Sequence, residues 1–136
     1  MDISFAAIAD AANLTHDGKV NILGMCDTLA VARAPGQVDR VVLVFGIRGE
    51  HADVGKPVHI TINLIDQDSQ VVWAGSAAVK LKDAEPGEFS HLNHVLQFRN
   101  LRFPAIGRYR FRIRITGQHK PYDVVFQVLN REKAGS

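Results

Sequence analysis

The sequence holds one cysteine and one tryptophan, and aromatic residues make up only 7% of it. With Cys26 alone, no intrachain disulfide can form, which fits a reducing compartment. No stretch approaches the ~18 consecutive apolar residues of a membrane-spanning helix. The first ten residues lack a basic start and their apolar run is cut by Asp10, so they do not read as a signal peptide. An excess of one charge is also missing. Lys and Arg number 16 against 14 Asp and Glu, a net +2, well short of a histone or a polybasic tail. No Gly-x-Ser-x-Gly elbow, Walker loop, dinucleotide-binding glycine motif or His-Glu-x-x-His pair occurs. These absences lead us to expect a cytoplasmic, non-catalytic protein with no cofactor and no membrane partner.

What is present is the make-up of a globule. A chain of 136 residues fits one domain and can bury about two thirds of its unfolded surface. Apolar residues make up 46% and charged residues 22%, so disorder throughout is excluded. The dominant period is two. In Gly107–Ile115, Tyr109, Phe111, Ile113 and Ile115 alternate with Arg108, Arg110, Arg112 and Arg114, a separation that only a strand produces. Val58, Ile60, Ile62 and Leu64 share one face of another strand. The acidic turn Asp66–Gln70 then leads into a returning strand, with Val71, Trp73, Ala77 and Val79 on one side. Asp17-Gly18 marks a further hairpin, joining a strand over 3–13 to one over 20–32. Further strands are predicted over 41–47, 94–103 and 122–129, and one short helical turn within 82–90. About eight strands with short turns predict an all-β antiparallel sandwich over residues 1–130, followed by a flexible tail over 131–136.

Three stretches carry a family resemblance. They are Asp10 through Gly18-Lys19-Val-Asn-Ile-Leu-Gly24-Met-Cys-Asp27, then Ile62-Asn-Leu-Ile-Asp66-Gln-Asp68, then Phe103-Pro-Ala-Ile-Gly107-Arg-Tyr109-Arg-Phe111 closing at Gly117. In that order the chain resembles a family of small uncharacterised bacterial β-sandwich domains, from Met1 to about Leu129. The resemblance implies the sandwich and brings no catalytic residue or cofactor with it.

Candidate sites follow from residue type and spacing. His91 and His94 point to opposite faces of a strand, and no third ligand completes a zinc set, so no metal site is expected. Asp66 and Asp68 lack the further oxygen ligands of a calcium loop, and Asp66 is expected to cap its own turn. Cys26 has Asp27 beside it, which raises rather than lowers a thiol pKa, so it reads as structural. Trp73 reads as a core residue. The arginine ladder is the unusual surface. Arg108, Arg110, Arg112 and Arg114 project at roughly 6.6 Å intervals and repel one another. The expectation is that Arg110 and Arg112 lie on the surface and that at least one pairs with a carboxylate of the next strand, Asp123 being the candidate.

Several strands are apolar on both faces, where a two-layer sandwich buries only one. The expected cover is a second copy of the chain. The predicted homodimer uses the outer face of the N-terminal hairpin, with Ala6, Ile8, Leu23, Met25, Leu29 and Val31. The function expected from sequence is thus an interaction or assembly module with a protein partner. Two alternatives are an anion or nucleic-acid binder using the ladder, and a small-ligand or carbohydrate binder with Trp73 as its platform.

Overall fold

The computed structural model describes residues 1–131; the expected tail, apart from Arg131, lies outside the described residues. Nine strands form two packed sheets: β1 (Asp2–Leu14), β2 (Val20–Cys26), β3 (Thr28–Val31), β4 (Gly36–Glu50), β5 (Pro57–Asp66), β6 (Val71–Lys80), β7 (Phe89–Phe103), β8 (Gly107–Ile115) and β9 (Tyr122–Asn130). One sheet has the order β2-β1-β4-β7, the other β3-β9-β8-β5-β6. The chain is an all-β sandwich, as its alternation predicts.

The period-two pattern sets the core. Tyr109, Phe111, Ile113 and Ile115 are buried, and register places Ile113 opposite Ile62 and Phe111 opposite Leu64. From the facing sheet, Val41, Leu43, Phe45 and Ile47 enter the same core. Phe98 of β7 stacks on Phe111 of β8 with ring centroids 5.3 Å apart, tying one layer to the other. The Trp73 ring meets Phe98 edge-on at 4.8 Å. A Cβ at Gly75 would run into the Trp73 ring, so this glycine leaves the space in which the indole lies. The Asp66 turn closes as expected, its Oδ1 accepting from the backbone N–H groups of Asp68 at 2.9 Å and Gln70 at 2.8 Å.

Three expectations are corrected. The strand predicted over 20–32 divides at Asp27. The residues after it cross to the other sheet, where β3 pairs with β9 in parallel, and the Asp27 carbonyl accepts from Gln127 N–H at 3.0 Å. Consequently Leu29 and Val31, and with them Ile8, lie in the core between the sheets and not on an outer face. The short helical turn falls at His51–Asp53, not within 82–90.

The second apolar face also has its own cover. Val42 and Val44 alternate with the core residues of β4, face away from the other sheet, and are nevertheless fully buried, as is Ala9. β1 pairs with β4 only as far as Ala9, then continues with β2 alone. The free end of this hairpin turns onto the sheet, where Ala12 and Val20 pack with Phe5 and Val95 around the two valines. Its tip is fastened by Asn93 Nδ2, which donates to the Gly18 carbonyl at 2.9 Å. Intramolecular folding thus does, at β4, what the sequence reading assigned to a second copy.

Candidate functional site

The arginine ladder rises from β8 on the outer face of the five-stranded sheet. Register sets Arg112 directly across from Asp123. Arg112 Nε donates to Asp123 Oδ1 at 3.0 Å and its Nη2 to Oδ2 at 3.1 Å, a two-pronged contact. Arg110 Nη1 adds a longer bond to Oδ2 at 3.4 Å. The Arg112 hydrogen bonds, with Arg110 second, hold the Asp123 carboxyl below the usual range. The expected cross-strand pairing is therefore present. Asp123 engages the two central guanidiniums, while Arg108 and Arg114 are exposed.

The other candidates separate. Leu23 is 72% and Met25 70% exposed, while Ile8, Leu29 and Val31, predicted with them, are buried in the core. Ala6 packs against that core from a partly buried position. His91 lies with Nε2 3.2 Å from Ser4 Oγ, and the His94 ring meets Phe45 at a tilt with centroids 5.2 Å apart, so the two do not converge. No group of three or more His, Cys, Asp or Glu converges among the described residues. Burial first, and then the charge of Asp10, pushes the Cys26 thiol up, away from the thiolate a nucleophile needs.

A further cluster escapes the sequence reading. The pairing of β4 with β7 sets Arg40 directly opposite Arg99. Both guanidinium side chains, with Arg131 beyond the end of β9, border a recess of about 640 Å³ whose wall also holds Asp10, Gln37 and Asp39. No local motif announces it, because its members meet only through the register of distant strands.

Residues 4–125 match the model of a family of unknown function, DUF6941. The chain belongs to this family. The sandwich described above is therefore a DUF6941 fold, and the family's description assigns it no activity. No curated protein matches the chain. Among solved structures, a family 123 glycoside hydrolase from Clostridium perfringens is 16% identical, with a TM-score of 0.39 over 93% of this chain and 27% of that one. The alkylpurine DNA glycosylase AlkC from Pseudomonas fluorescens, solved with DNA containing an abasic site analog, is 14% identical, with a TM-score of 0.37 over 90% of this chain and 30% of that one. The chain thus spans under a third of each, and likeness at this level carries no functional information.

Proposed function

We propose that the chain is a non-catalytic, cytoplasmic assembly module that associates with a second copy of itself along β2. The state of that edge carries the reading. Val20–Cys26 closes one side of the four-stranded sheet, leaves Ile22, Leu23 and Met25 exposed, and contains neither a charged residue nor a proline. An open edge of this kind is a template for another strand. Of the other edges, β3 has only four residues and β7 carries His91, Arg99 and Arg102. β6 is neutral up to its final Lys80, and β2 differs from it in leaving the two large apolar side chains Leu23 and Met25 more than two-thirds exposed.

The second copy is the favoured occupant because a neutral strand meets its own antiparallel image without like-charge repulsion, and a two-fold axis repeats every contact. Gly24, at φ +72°, breaks the regular edge, so Val20–Leu23 is the stretch that pairs, with Met25 alongside. Multi-angle light scattering at tens of micromolar should give twice the chain mass. Leu23→Asp with Met25→Asp should give a monomer with unchanged circular dichroism, since both side chains are already in solvent. A monomer for the unmodified protein overturns the reading.

A further inference from the structure

We propose that the recess between Arg40, Arg99 and Arg131 binds a small phosphorylated polyol, with the guanidiniums on the phosphoryl oxygens and Asp10 and Asp39 on the hydroxyls. Two observations on the same few residues support this. First, Arg40 and Arg99 are direct cross-strand partners. Their Cβ atoms are therefore ~5 Å apart, and like charges so placed repel, here on two exposed side chains that an anion can reach. Second, the carboxylates at hand do not pair with them. Asp10 and Asp39 border the recess, yet among the described residues neither lies within 4.0 Å of any of the three guanidiniums. The ladder on β8 shows the contrast, because there Asp123 engages two arginines at once. The recess thus holds three cations and two anions side by side without internal pairing.

A ligand that satisfies both must carry an anion and hydrogen-bond donors. Arginine forks match the oxygens of a phosphoryl group. Ionised carboxylates only accept hydrogen bonds and so select hydroxyls nearby. The recess, of about 640 Å³, is open to solvent and lined by exposed charged side chains, which suits a small, highly polar ligand. Asp10 lies against Gly24 of β2, but the three arginines that hold the phosphoryl group come from β4, β7 and the end of β9, so the inference does not require assembly along β2.

Titration calorimetry with ribose 5-phosphate, ribose, inorganic phosphate and a single-stranded oligonucleotide tests it. Ribose 5-phosphate should bind, inorganic phosphate more weakly, and ribose not measurably. Arg99→Gln should weaken ribose 5-phosphate at least about tenfold. Arg40→Lys, which keeps the charge and loses the fork, should weaken it less. Asp39→Asn should narrow the preference for ribose 5-phosphate over inorganic phosphate. Arg114→Gln, on the ladder, should leave binding unchanged. No binding of ribose 5-phosphate, equal binding of inorganic phosphate, or undiminished binding by both Arg99→Gln and Arg40→Lys would overturn the proposal. Tighter binding of the oligonucleotide with a steep salt dependence would overturn it too, in favour of a nucleic-acid surface.

Discussion

Asp123 is a single carboxylate serving two arginines, so its removal should cost more than an ordinary surface residue. Asp123→Asn leaves Arg110 and Arg112 to repel each other and should lower stability by about 0.5–1 kcal/mol near neutral pH, the groups being partly solvated. The sign with pH follows from the depressed carboxyl pKa. The contribution is complete above the ordinary aspartate value of about 4 and is lost as pH falls through the lower folded value. Denaturant titrations should thus show wild type and variant converging in acid. His94 acts in the same direction for a different reason. Burial against Phe45 pushes its pKa down, so folding disfavours the imidazolium. Its contribution is complete above about pH 6.5 and is lost as pH drops toward the lower folded value. His94→Leu should narrow the fall in melting temperature between pH 7.5 and pH 5, by differential scanning calorimetry.

The β1–β2 hairpin is the element whose placement matters most, because it takes leave of its sheet at Ala9 and returns across the sheet's own back. Val42→Ala removes two methyl groups from a site with no solvent exposure and should cost about 2 kcal/mol. Asn93→Ala should cost about 1 kcal/mol and, more tellingly, speed amide exchange over Val20–Leu23 by freeing the hairpin tip. The strands themselves were legible. The alternation from Arg108 to Arg114 assigns every side chain of β8 to its face, and the Asp66 turn announces the β5–β6 hairpin. The sheet each strand joins was not legible. Leu29 and Val31 show the same alternation whether they continue β2 or cross to β9, and the pattern says nothing of the step at Asp27. The turned hairpin was hidden for a related reason. Apolar residues on both sides of Val41–Val44 state that both faces are covered, and they do not state by what.

Over the whole molecule, what could be read from sequence diminishes with the separation of the partners. The sandwich class rests on local alternation and is legible in it, and the ladder's partner lies one hairpin away. The recess of Arg40, Arg99 and Arg131 needs β4, β7 and the end of β9 together, and no spacing along the chain expresses it. The parallel pair of β3 with β9 is the extreme case, with Thr28 Oγ1 accepting from Gln127 Nε2 across 99 positions of sequence. That pairing has a kinetic side. While the chain is being made, Thr28–Val31 has no strand to join until Tyr122–Asn130 has left the ribosome, and the apolar Leu29 and Val31 wait in solvent. Such distant closure puts the protein among slow folders, on the order of milliseconds to seconds. The interval before the two ends meet is then when this chain is most open to aggregation and most in need of a chaperone.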